Sequence, residues 1–231
     1  MKPTCNEPEQ KKRSWGLLKR RSCLVPTLRG WLALILTFIL VAMMIVRRIH
    51  PFLSVNDSIP GGVLVVEGWG SDYVMNQAVA EFHRNHYDKV FVTGIPIEHG
   101  APLSEFKSLA ELGAAVLVKL GLSTNVVQAV PTPDVKRDRT YSSAAALKTW
   151  LREHNMAAPK INVFTVGPHA RRSRLLYQKA MGNDVTIGVI AAPVREYNPD
   201  RWWQSSPGVR DVAGEAIAYL YVRIFFRTPK E

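Results

Sequence analysis

Five short runs rich in β-branched residues, separated by stretches of helical periodicity, leave this chain few folds to adopt. The runs are "GGVLVVEG", "KVFVTG", "NVVQAVP", "KINVFTVG" and "VTIGVIAAP". Between them, Tyr73 to Asn85 repeats apolar residues at helical spacing, with Val74, Ala78, Val79 and Phe82 on one face. Ser104 to Leu120 predicts a long helix stopped by Gly121, and Thr140 to His154 predicts another. A helix after the fourth run reaches Met181 and stops at Gly182. Strand–helix–strand units of this kind predict an α/β fold, a parallel sheet of about five strands with helices on both faces. Gly208 to Phe226 adds a last helix with a broad apolar stripe. Asp211, Glu215 and Arg223 interrupt that stripe and argue against a membrane span, so docking on the sheet or its helices is expected. "RWWQ" just before it reads as a lid on the core, with a membrane-surface aromatic pair as the alternative, since Asp200 and Arg201 do not suggest an insertion loop.

Ahead of this pattern lies "GWLALILTFILVAMMIV", Gly30 to Val46, a run without charge between Arg29 and Arg47-Arg48. As a helix it reaches about 25 Å at 1.5 Å per residue, and arginine stems at both ends extend it. No polar face marks it as a core helix, and no small-residue cleavage site follows it, so it reads as an uncleaved transmembrane anchor. Residues 1–29 are then a basic cytoplasmic tail, 30–46 the anchor, 47–61 a linker and 62–231 the folded domain. The tail holds eight Lys/Arg against Glu7 and Glu9, and two arginines follow the run, which predicts an extracytoplasmic domain. Cys5 and Cys23 both fall in the tail, so the domain is compatible with an oxidising compartment.

The net charge of +11 suggests nucleic acid until it is mapped. From Pro51 onward 20 Lys/Arg face 17 Asp/Glu, too balanced for a phosphate-backbone surface, and nucleic acid is excluded as a partner.

Ligands of open parallel sheets sit beyond the carboxyl ends of the strands. That edge collects Glu67 from the first strand, Gly94 from the second, and Ser104 and Glu105 at the start of the next helix. It also collects Asp138, Arg139, Thr140 and Ser143 from the third connection, and Thr165, His169 and Arg172 from the fourth. "FTVGPHARRSR" places cations where a helix start already carries free N–H groups and partial positive charge, which is unfavourable unless an anion is present. His169 and Arg172, three apart, share a face, whereas Arg171 and Arg174 form a second, solvated pair.

The order and spacing of "EGW", "VTG", Ser104-Glu105, "DRTYSSA" and "FTVGPHARRS" resemble the bacterial YdcF/SanA/ElyC family of domains of unknown function, over roughly Val63 to Pro193. The family pattern falls on Gly94, Ser104, Glu105, Thr140, Ala144, Thr165, His169 and Arg172. Ser143 stands where the family has Asn, Ser173 where it has Ala, and Glu67 where the first strand usually ends apolar. The resemblance implies a Rossmann-like sheet. For anchored members it also implies a part in building the cell envelope, with residence in the plasma (inner) membrane.

No G-x-S-x-G, G-x-x-x-x-G-K or H-E-x-x-H motif is present, no metal site is expected, and the cofactor is left open. Glu67, Glu105 and His169 are the candidate catalytic residues, suited to acid–base work on a phosphorylated or carboxylated envelope precursor. Gly94, Ser104, Asp138, Arg139, Thr140, Ser143, Thr165 and Arg172 are the candidate ligand contacts. The ligand is an anionic small molecule or lipid-linked precursor, as for peptidoglycan. A transferase or hydrolase, a ligand-sensing module and a scaffold of envelope assembly all remain open.

Overall fold

A computed structural model describes residues 26–229. The basic tail through Val25, with Cys5 and Cys23, lies outside the described residues, as do Lys230 and Glu231. The chain divides into two compact units, Met1–Ala42 and Met43–Glu231. Helix α1, Leu28–Leu53, begins in the first and ends in the second. It contains the uncharged run and is long and apolar enough to cross a membrane.

The second unit holds a five-stranded, all-parallel sheet in the order β3-β2-β1-β4-β5. The strands are β1 Val63–Glu67, β2 Val90–Gly94, β3 Val127–Pro131, β4 Lys160–Val166 and β5 Thr186–Ala192. The helices are α2 Asp72–Arg84, α3 Leu109–Lys119, α4 Arg139–Glu153, α5 His169–Met181 and α6 Ser206–Ile224. Strand alternation sorts the apolar residues into two layers. Leu64, Val66, Val90 and Val92 pack with Val74 and Met75 of α2 and Leu117 of α3. Val63, Val65, Phe91, Ile161 and Val163 pack with Leu147 of α4 and Tyr177 of α5. Both faces are therefore covered, as the sequence predicts, and every strand has an apolar core face.

Three expectations are corrected. The third helix starts at Leu109 rather than Ser104, because residues 95–108 fold back on themselves through a bridge between Pro96 and Ser108. A capping box closes the new start: Ser108 Oγ accepts from the Glu111 amide, and Glu111 accepts from the Ser108 amide. The linker is not irregular from residue 47. α1 runs on to Leu53, whose side chain is fully buried, and Trp202 Nε1 donates to the Val46 carbonyl at 2.9 Å. The indole is half-buried against the end of α1 rather than closing a central core.

Residues 54–62 are then stitched to the sheet. Asp57 pairs antiparallel with Val189 on the edge strand β5, and Asn56 Oδ1 accepts from the Ala191 amide at 2.7 Å. The fully buried Asn162 accepts from the Ile59 amide and donates to the Ile59 and Gly61 carbonyls.

Candidate functional site

The strand order reverses between β1 and β4, so their carboxyl ends border the crevice where such sheets bind ligands. Odd-numbered residues of β1 face α4 and α5, which turns Glu67 to that side. The register sets Glu67 beside Thr93 of β2, and Val66 beside Phe164 of β4, so Thr165 follows next to Glu67. One row across three strands thus reads Thr93, Glu67, Thr165.

Glu67 is only 4% exposed, yet both carboxylate oxygens have donors. Thr165 Oγ1 donates at 2.5 Å, and Ser173 Oγ of α5 lies 3.1 and 3.2 Å from the two oxygens. Ser173 of α5 and Glu67 of β1 are therefore partners. Beneath them Tyr177 shares a 3.0 Å hydrogen bond with Thr93. Burial, then the nearby Glu67 carboxylate, push its hydroxyl well above the usual range despite the Thr93 contact. It stays neutral.

One turn toward the N-terminus of α5, His169 Nε2 stands 3.5 Å from Glu67 Oε2. Its other nitrogen, Nδ1, lies 2.8 Å from Glu215 Oε1 of α6 and 2.9 Å from Arg172 Nη2. A carboxylate accepts but cannot donate, so Nδ1 carries its proton toward Glu215, and the Arg172 contact is only close packing. Arg172 grips the same carboxylate with two hydrogen bonds, Nε to Oε2 at 2.7 Å and Nη2 to Oε1 at 2.9 Å. Burial opposes the Glu215 charge, but the Arg172 and His169 hydrogen bonds outweigh it and hold the group at about 2. Burial also opposes the Arg172 charge, and Glu215 and Glu67 more than restore it. The anion demanded by "FTVGPHARRSR" is therefore supplied by the chain itself. Trp69 packs edge-on to the His169 ring, 5.0 Å between centroids.

Above this cluster opens a cavity of about 450 Å³. Glu67, His169 and Arg172 line its floor together with Gly94, and Asp138, Arg139, Thr140 and Ser143 line the side at the start of α4. Lys136 and Arg137 add charge to that rim, and Ala218, Tyr221 and Val222 of α6 close another wall. Neither α4 nor α5 has an acidic residue in its first turn or a side-chain cap, so free N–H groups of two helix starts border the cavity. Asp138 adopts a left-handed conformation (φ 54°, ψ 37°) at the α4 start, a strained choice for a residue with a Cβ. Ser143 is buried and shares a 2.8 Å hydrogen bond with Thr132.

Three predicted residues lie elsewhere. Thr165 is behind Glu67 rather than in the cavity lining, and acts through its hydrogen bond. Ser104 accepts from the Phe106 amide within the connection. Glu105 is exposed outside the cavity, because α3 begins four residues beyond it. Arg171 and Arg174 do form a second pair, but not a freely solvated one. Arg174 binds Asp57 at 2.7 Å and the Ile187 carbonyl, while Arg171 lies over the Phe52 ring and donates to the Phe52 carbonyl.

Glu215, Ser173 and Tyr177 were not legible as site residues, though a carboxylate inside the apolar stripe of the last helix was a usable signal for the first. Among the described residues no group of three or more His, Cys, Asp or Glu side chains is placed to hold a metal ion.

Fold and cavity together define a Rossmann-like α/β domain preceded by one membrane-competent helix. No protein-family model matches the sequence, and no curated protein matches it.

Proposed function

We propose that this chain is a membrane-anchored envelope protein, related to the YdcF/SanA/ElyC group, whose extracytoplasmic domain binds an anionic envelope precursor in the switch-point cavity. The observation that carries the reading is the pairing of a buried acid with a histidine on the floor of a cavity whose rim is basic. Glu67 Oε2 and His169 Nε2 stand 3.5 Å apart, and Nε2 is a buried nitrogen without a hydrogen-bond partner among the described residues, an acid–base pair beside the cavity. Arg172 and Glu215 fix the imidazole so that Nε2 faces Glu67. Anion contacts come from Arg137 and the uncapped N–H groups of α4 and α5, because the Arg172 charge is already matched by Glu215 and Arg139 donates to Glu98 at 2.6 Å. That same clamp favours a second reading, a non-catalytic sensor in which ligand competes with Glu215 for Arg172.

Inorganic phosphate is expected to raise the melting temperature of the full-length protein in detergent, since it binds the folded state. Arg137→Ala should remove most of that response. Arg174→Ala, whose charge is paired with Asp57, should retain it. Uniform responses across the three proteins would sink the cavity as an anion site. Glu67→Gln then separates the readings, since an enzyme keeps binding and loses turnover on envelope lipid extract, whereas a sensor has no turnover to lose.

The anchor has its own test. A reporter active only after export, fused behind Glu231, is expected to be active in cells. An inactive reporter on a stable fusion would overturn the extracytoplasmic placement.

A further inference from the structure

Helix α6 leaves several large apolar side chains exposed while turning its acidic ones inward. Its two acidic residues point inward, Glu215 into the Arg172–His169 clamp and Asp211 to the Tyr197 hydroxyl at 2.5 Å. Val212 and Val222 are buried with them. The opposite face carries Ile217, Leu220, Tyr221 and Ile224, spaced three and four residues apart and so aligned in one stripe. Ile217 is 70% exposed, Leu220 54%, Ile224 65% and the adjoining Phe225 69%. A contiguous apolar stripe of this kind marks a surface that something covers.

Neighbouring contacts place the end of α1 beside it. The last turns of α1 belong to the same compact unit as α6. Trp202, just before α6, donates to the carbonyl of Val46, the last residue of the uncharged run. Phe52 meets the Tyr219 ring edge-on at 5.7 Å between centroids. The end of the segment long enough to span a membrane therefore packs beside α6, on the Glu215–Tyr219 side next to the stripe. Arg210, Arg223 and Arg227, all exposed, flank it. Arginines beside exposed apolar residues can meet anionic headgroups while the apolar side chains enter the headgroup–acyl boundary.

We propose that the outer face of α6 rests in the headgroup layer of the bilayer that holds α1, with its arginines on anionic lipid. The inference depends on α1 crossing a bilayer and not on what occupies the cavity. Its consequence for that cavity is direct, because Tyr221 and Val222 of the same helix form one of its walls. The mouth then opens beside lipid headgroups.

The test uses the full chain with Cys5 and Cys23 replaced by serine, reconstituted in phosphatidylethanolamine–phosphatidylglycerol vesicles. A single cysteine at Ile217, Leu220 or Ile224 carries an environment-sensitive fluorophore, and Lys119, exposed on α3, provides the reference. Brominated lipid is expected to remove roughly half of the emission at the three α6 positions and little at residue 119. Replacing phosphatidylglycerol with a zwitterionic lipid should weaken that quenching. Quenching no greater than at residue 119 would overturn the proposal. So would labels shielded from an aqueous quencher but untouched by bromine, with copy-to-copy crosslinking at Leu220, because a second copy would then cover the stripe. Phosphate responses of the cavity are read separately, so either proposal can fail alone.

Discussion

Replacing Glu215 with alanine is expected to destabilise the folded domain by about 3–5 kcal/mol, the usual cost of removing one partner from a buried, hydrogen-bonded ion pair. Arg172 and His169 would keep their places with no carboxylate between them, close to uncapped helix N–H groups of the same sign. Glu215→Gln should cost less, because an amide oxygen still accepts from Arg172. The two variants also separate charge from hydrogen bonding in acid. Because the folded pKa of Glu215 is depressed to about 2, its stabilisation is complete above the ordinary carboxylate range and is lost as pH falls toward 2. That part of the stability, roughly 3 kcal/mol for a shift of this size, should be missing from Glu215→Gln at neutral pH. The mutant and parent curves should therefore converge as the solution is acidified, and denaturant melts at several pH values would show it. Curves that stay parallel down to strong acid would mean that Glu215 is not held ionised by this clamp. The same variants should bind inorganic phosphate more tightly than the parent wherever they remain folded, since the internal competitor for Arg172 is gone.

Gly94→Val should be nearly as damaging for a different reason. A Cβ at Gly94 would stand 2.6 Å from the Ala110 amide nitrogen and 2.9 Å from the Leu109 carbonyl carbon, both in the first turn of α3. Those are backbone atoms with no rotamer to change, so the helix start must shift away from the strand end. Overpacking of this kind costs about 3 kcal/mol at its upper range, and valine adds two more methyls to place. The expected readout is a loss of melting temperature together with a loss of the phosphate response, since Gly94 and Leu109 both line the cavity. A stable variant with an unchanged phosphate response would show that the strand–helix contact is looser than these distances require. Gly94 entered the sequence reading as a ligand contact. Its closest neighbours make it a spacer that lets α3 approach β2.

What could be read in advance follows a physical divide. Strands and helices were legible because their apolar periodicity depends on near neighbours in the chain, and each of the five strands falls inside its expected run. The edge that gathers Glu67, Gly94, Arg139, His169 and Arg172 was legible too, since parallel topology alone brings strand ends together. Partner choice was not. Nothing local ties Glu215 to Arg172 across 43 positions, or Ser173 to Glu67 across 106. Ser173 and Glu67 become partners only when α5 lies over β1. The error over Glu105 was avoidable. Ser108 and Glu111 spell a helix start three residues apart, and reading that signature would have moved Glu105 out of the helix and away from the site.

The stretch from Ser54 to Gly62 bears on how far the domain can travel. Nine residues of loose chain would permit excursions of about 30 Å when fully drawn out. Here the same residues lie against β5 and Asn162, and Arg174 holds Asp57. No slack is left to pay out. Under the proposed anchoring, a domain held this way has no tether on which to reach a ligand far from the membrane, as a receptor on a stalk does. Its encounters with a lipid-linked ligand then become a two-dimensional search governed by lateral diffusion and by the surface density of that ligand.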